Sequence, residues 1–314
     1  MAQKIESFSL KTFLFPMLQS FNPKNAGIQV FVKDRLFPRH EARVSVFDSS
    51  VQGGDAVWEG LRVYHGKIMC LSHHLRRLRE SAKALHFSDI PSEEFVRSAI
   101  RQTLAANGMT HDTHIRLTLT RGEKVTSGMD PRLNQAGSCL IVLAEWKPVV
   151  YDNTSGIRAL TGSVLRNSPR FLDSKIHHNN LLNNILAKIQ ANVAGMDVAL
   201  MLDERGFAAE FNDTNVCMIR GEKLLTPHAV ACLPGITRGL VLDLATRAGL
   251  EASEADISLT ELYNADAVFA TGTMGELTPV VELDGRSIPS QECAAFGRLQ
   301  AVFREATMQL AEEV

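Results

Sequence analysis

The chain has 314 residues, 45% of them hydrophobic and 22% charged, with a formal net charge of -2. That balance gives no basis for nucleic acid or an anionic membrane as a partner, and no apolar run approaches the roughly 18 residues a membrane span needs. The five scattered cysteines (Cys70, Cys139, Cys217, Cys232, Cys293) form no CxxC pair, which excludes a disulfide framework or zinc cage and points to a reducing, cytoplasmic setting.

The length suggests two domains. Residues 1–25 read as a partly apolar extension broken by Pro16, not as a signal peptide. Residues 26–148 read as a small α/β domain. It opens with a hairpin between Ile28 and Val46, then a glycine turn at Gly53–Gly54 feeding the alternating stretch AVWEGLRVY. SHHLRRLRESAKAL predicts a helix with Leu75, Leu78, Ala82 and Leu85 inward, and a second helix spans about Ser92 to Ala106. In the strand THIRLTLT, His114 and Arg116 alternate with Ile115, Leu117 and Leu119, so Arg116 faces away from the leucines, at a surface or into a polar cleft.

Residues 149–160 read as a connector and residues 161–314 as a larger domain. A single lysine, Lys175, precedes the apolar positions Leu181, Leu182, Ile185, Leu186 and Ile189, a spacing that predicts a helix with one buried stripe. A lone lysine is ordinarily a solvated amine. Glu210 stands on a strand between Ala209 and Phe211. Pro234–Gly235 turns into a helix at Ile236–Thr237, whose free N–H groups suit a phosphate. Thr271–Gly272–Thr273 forms a second hydroxyl-rich turn at a strand end. Adjacent histidines on a helix (His73–His74, His177–His178) project about 100° apart and cannot share one ion, so no metal site is expected.

One lysine, one strand carboxylate and two anion nests form the inventory that pyridoxal 5'-phosphate requires. At this point the chain resembles the class IV (fold-type IV) aminotransferases, and most closely their branched-chain members. The motifs that carry the likeness are WEGLRVYHGK, HLRRLRESAKAL, SKIHHNNLLNNILAK, GFAAEFNDTNV, LTPH, LPGITR, ADAVF and TGTMGELTPV. The resemblance implies a two-domain α/β (α+β) D-amino-acid-aminotransferase-like fold, with a small N-terminal domain, a larger pseudo-barrel domain, and pyridoxal 5'-phosphate between them in a homodimer. It implies a Schiff base on Lys175, a ring-nitrogen partner in Glu210, and phosphate contacts from Arg77, Gly235, Ile236, Thr237 and Thr273. Leu233 would pack on the ring, and Asn180 stands where relatives carry a tyrosine. Arg116 would take the substrate carboxylate, beside Trp58, His114, Thr273 and Met274.

The implied reaction moves an amino group from a branched-chain or other apolar L-amino acid to 2-oxoglutarate. The alternatives are an R-amine or D-amino-acid transaminase, an aminodeoxychorismate lyase, or a phosphate-ligand binding protein without the chemistry.

Overall fold

The computed structural model describes residues 19–314. The expected N-terminal extension lies, through residue 18, outside the described residues.

Two sheets organise the chain. The first has seven strands: β1 Gln29–Val32, β2 Arg35–Pro38, β3 Ala56–Tyr64, β4 Lys67–Met69, β5 Thr113–Thr120, β6 Cys139–Trp146 and β16 Ala311–Glu312. They lie in the order β16-β4-β3-β5-β6-β1-β2. The centre is the antiparallel pair β3 and β5, in register from Ala56↔Thr120 to Val63↔Thr113. Helices α2 (Leu71–Ala84) and α3 (Glu93–Asn107) cover one face. Leu71, Leu75, Leu78 and Ala82 of α2 are buried there with Ile115, Leu117 and Leu119 of β5. The side chain of Ser92 caps α3 by accepting from the Phe95 N–H, and Gly108, at φ 62°, ends it. The short helix α1 (Ser49–Gly53) closes on the left-handed Gly54.

The second sheet has nine strands. Eight of them are β7 Ile157–Thr161, β8 Val198–Leu202, β9 Ala208–Phe211, β10 Asn215–Arg220, β11 Lys223–Pro227, β12 Glu251–Ala255, β13 Ala267–Gly272 and β14 Glu276–Leu283, in the order β12-β11-β10-β13-β14-β7-β8-β9. The ninth, β15 (Arg286–Ser287), pairs with β14. Helices α5 (Ile236–Leu244) and α7 (Ala294–Gln309) pack on this sheet around Phe269, Phe296 and Phe303. A further core around Phe211, Val216 and Leu262 of α6 (Leu259–Tyr263) fills another face. Helix α4 (Leu182–Val193) lies against β8 through Ala187 and Ala191.

The fold is thus of the mixed α/β class expected, with local differences. The first hairpin closes at Val32–Arg35, and residues 43–47 carry no strand. The expected connector contains most of β7, and the chain's last strand, β16, returns to the first sheet. The apolar stripe of α4 is not buried: Leu182 is 74% exposed and Val193 83%, with Ile185, Leu186 and Ile189 about half exposed. What buries α4 is its alanine edge. The described residues contain no helix long and apolar enough to cross a membrane and no cluster of three metal-ligating side chains.

Candidate active site

The cleft between the sheets consists of two adjoining cavities, of about 230 Å³ and about 320 Å³. They share Trp58, Arg116, His177, Glu210, Asp213 and Leu233. Strands β3 and β5 supply one wall; β9, β10, β13 and the start of α5 supply the other.

At one end, Pro234–Gly235 delivers the chain into α5. A Cβ on Gly235 would stand 2.0 Å from Asn215 Oδ1, so only glycine permits this approach. The hydroxyls of Thr237 and Thr271 are buried and have no partner among the described residues. Unpaired buried hydroxyls cost free energy unless a ligand satisfies them. Together with the free N–H groups opening α5, and Gly272 and Thr273 beside them, they form an anion cup. Arg77 stands at its rim. Its guanidinium holds Glu59 through Nε–Oε1 at 2.8 Å and Nη2–Oε2 at 2.7 Å, and donates from Nη1 to the Pro234 carbonyl at 3.0 Å. One Nη1 proton remains for a phosphate oxygen.

Glu210 lies across the cavity on β9, buried. Arg166 Nε donates to its Oε1 at 2.5 Å, and Oε2 accepts from Asn215 Nδ2 at 3.0 Å and from the Leu233 N–H at 3.3 Å. Burial pushes the carboxyl pKa up, while Arg166 and these donors pull against it. Leu233 lines the cavity between the carboxylate and the cup.

The far end is cationic. Arg116 projects from β5 opposite its buried leucine neighbours, as the alternation predicts. It stacks on Trp58 with 3.4 Å between guanidinium carbon and ring centroid, and Nη2 donates to Asn179 Oδ1 at 2.9 Å. Burial lowers its pKa to about 10, so it stays charged at neutral pH. His114 beside it is half-buried, held down to about 3 by desolvation, and its buried Nε2 is unpartnered among the described residues. Met274, Lys147 and Tyr151 complete this end. The Tyr151 hydroxyl donates to Asp213 at 2.6 Å.

Of the residues expected from sequence, Arg77, Glu210, Leu233, Gly235, Ile236, Thr237, Thr273, Met274, Trp58, His114 and Arg116 all line this cleft. Lys175 and Asn180 do not. Lys175 sits at the tip of a turn that Ile176 N–H closes onto the Asp173 carbonyl at 3.1 Å. Its own N–H donates to Asp173 Oδ1 at 3.0 Å, an Asx turn that directs the side chain outward. The side chain is 48% exposed, and its amine stands 4.0 Å from Asp173 Oδ1. Helix α4 begins only at Leu182, so the expected loop–helix junction lies beyond Lys175. Asn180 donates to the Gly54 carbonyl at 3.0 Å, away from the cleft; its neighbour Asn179 holds Arg116 instead.

His177 faces both cavities. Its ring lies over Trp58 with centroids 4.0 Å apart, and Nδ1 stands 3.3 Å from Glu59 Oε1 and 3.5 Å from Arg77 Nη2. In the sequence, His177 stands out only as a neighbour of His178, and no local pattern marks Arg166, Asp213 or Tyr151.

The class IV amino-transferase family model matches residues 56–283. The chain belongs to the class IV aminotransferase family. It is 55% identical over 286 residues to the branched-chain-amino-acid aminotransferase-like protein 2 of Arabidopsis thaliana, covering 91% of this chain and 51% of that one. It thus spans about half the length of this curated relative. A putative branched-chain-amino-acid aminotransferase of Methanocaldococcus jannaschii is 38% identical over 267 residues, covering 84% of this chain and 91% of that protein. Among solved structures, the branched-chain aminotransferase of the thermophilic archaeon Thermoproteus uzoniensis with norvaline superposes with a TM-score of 0.81 at 28% identity, covering 91% of this chain and 98% of that one.

Class IV aminotransferases depend on pyridoxal 5'-phosphate. The residues here fit its phosphate at the unsatisfied Thr237 and Thr271 hydroxyls and its ring nitrogen at Glu210. They do not fit a covalent attachment at Lys175, whose half-exposed side chain lines neither cavity.

Proposed function

We propose that the chain is a pyridoxal-phosphate-dependent aminotransferase acting on branched-chain or other apolar L-amino acids with 2-oxoglutarate as acceptor. One observation carries this reading: the anion cup, the Glu210 carboxylate and the Arg116 guanidinium line a single cavity. When bound, the cofactor supplies an electron-accepting ring that makes a substrate Cα proton labile. Thr237, Thr271 and the α5 N-terminus anchor the phosphate. Glu210 orients the ring and favours a proton on its nitrogen; Arg166 in turn fixes Glu210. Arg116, held flat on Trp58, offers a planar fork to the substrate carboxylate. Leu233 and Met274 keep the centre of the cleft dry. The branched-chain names of the relatives support the donor class.

The exposed apolar face of α4 supports a homodimer. Leu182, Ile185, Leu186, Ile189 and Val193 form one row on a helix whose Ile185 also borders the second cavity, and a second copy of the chain would bury that row beside the site. Five thiols, none disulfide-bonded, are consistent with a reducing, cytoplasmic setting.

The test is a donor screen. The full chain, supplied with pyridoxal 5'-phosphate, is incubated with L-leucine, D-alanine or R-1-phenylethylamine, each with 2-oxoglutarate. Glutamate formed from L-leucine alone supports this reading. Turnover only with D-alanine or the R-amine would assign one of the other transaminase activities.

A further inference from the structure

We propose that this chain holds pyridoxal 5'-phosphate as a dissociable ligand, with the imidazole of His177 standing where an amine would have to reach the cofactor's aldehyde. The proposal rests on the cofactor reading above.

Covalent attachment of the aldehyde needs a primary amine inside the cleft. The segment that passes the cleft is pinned to β3: Trp58 N–H donates to the His177 carbonyl at 2.9 Å, and Asn179 N–H to the Ala56 carbonyl at 2.9 Å. Val57 and His178 form a bridge between these two bonds. With the backbone so fixed, His177 is the side chain presented to both cavities. It is wedged between Trp58 and the Glu59–Arg77 pair, at the border of the anion cup and the Glu210 cavity. An imidazole has no primary amine and forms no stable bond of this kind with an aldehyde.

Lys175 lies in the Asp173–Ile176 turn, whose two backbone N–H bonds to Asp173 fix its backbone, and its side chain lines neither cavity. Lys188 touches the second cavity, but its ammonium donates to the Asp197 carbonyl and it lies on α4, behind Asp213. Lys147 borders the cationic end, next to His114, where a substrate carboxylate belongs. Among the described residues, noncovalent contacts are left to retain the cofactor: the cup, Glu210 and the stacking surface of Leu233. A cofactor kept by these alone exchanges with its amine form, pyridoxamine 5'-phosphate, through the same opening.

The experiment uses the full-length chain saturated with pyridoxal 5'-phosphate, with binding followed by tryptophan fluorescence. One portion is reduced with borohydride and peptide-mapped by mass spectrometry; the other is dialysed and its remaining cofactor measured by absorbance. The expected result is saturable binding, no stoichiometric pyridoxyl adduct on any lysine, and complete loss of cofactor on dialysis. His177→Lys is expected to gain a stoichiometric adduct at residue 177, and Lys175→Ala to bind with wild-type affinity. A stoichiometric wild-type adduct on Lys175, Lys147 or Lys188 would overturn the proposal, as would about a tenfold loss of affinity in Lys175→Ala. Should the wild-type chain show no saturable binding, it is the cofactor reading that fails.

Discussion

Arg166 and Glu210 form a buried ion pair, Nε to Oε1 at 2.5 Å, whose members stand 44 residues apart in the chain. Neither faces water, so each charge depends on the other. Asn215 and the Leu233 N–H hold the second carboxylate oxygen, which ties the pair to the loop that opens α5. The site's electrostatics and the position of its anion cup are therefore one structure.

Removing one member of that pair strands the other. Glu210→Ala is expected to cost about 3–5 kcal/mol of stability, read as a lower denaturation midpoint in urea. Adding Arg166→Met should recover part of the loss. An unchanged midpoint in Glu210→Ala would mean the two charges are not mutually dependent.

Arg116 tests the carboxylate end. Its charge-assisted bonds to a ligand are worth about 1.5–3 kcal/mol, so Arg116→Ala should weaken binding of a branched aliphatic carboxylate about tenfold to a hundredfold, measured by calorimetry. Arg116→Lys should be almost as weak, because an ammonium can neither lie flat on Trp58 nor present a fork. Full affinity in the lysine variant would reduce the role of Arg116 to a point charge.

The row on α4 makes an assembly prediction. Ile185→Glu with Ile189→Glu places two charges on the exposed apolar face without touching its buried alanines. Sedimentation velocity should show a dimer for the wild type and a monomer of unchanged thermal stability for the variant. A dimer in the double variant would place the subunit contact elsewhere.

Two neutral histidines give a pH dependence. Burial depresses His114 to about 3 and His177 to about 4, below the ordinary value of 6.5. Between those values the unfolded chain binds protons that the folded chain refuses. The contribution of these two groups is therefore fully present above pH 6.5 and is lost as the pH drops towards 4, by about 1.4 kcal/mol per pH unit for each. Urea midpoints at pH 7 and pH 5 should differ, and by less in His114→Gln. An equal difference in that variant would remove His114 from the acid sensitivity.

Much of this site was legible because period and turn chemistry determine it. The alternation in THIRLTLT puts Arg116 opposite Ile115, Leu117 and Leu119, which are fully buried. Gly235 followed by Ile236–Thr237 announces a helix start, and the start of α3 follows from Ser92. What was not legible depends on long-range contacts or on a single turn. Arg166 has no local signature that points to a strand residue so far along the chain. The apolar row of α4 has the same spacing whether it meets a core or another subunit. Lys175 precedes a helical pattern, but the Asp173 carboxylate folds a tight turn there and swings the lysine out. His177 enters the cleft because backbone bonds to Trp58 and Ala56 set its register, and those partners lie about 120 residues earlier.

The most direct measurement is an equilibrium titration of the wild-type chain and of Thr237→Val with pyridoxal 5'-phosphate, followed by tryptophan fluorescence. A cleft built as described binds one cofactor per chain, is competed by inorganic phosphate, and loses about tenfold or more in affinity when the buried Thr237 hydroxyl is removed. Binding that is absent in the wild type, or indifferent to both phosphate and Thr237, would contradict it.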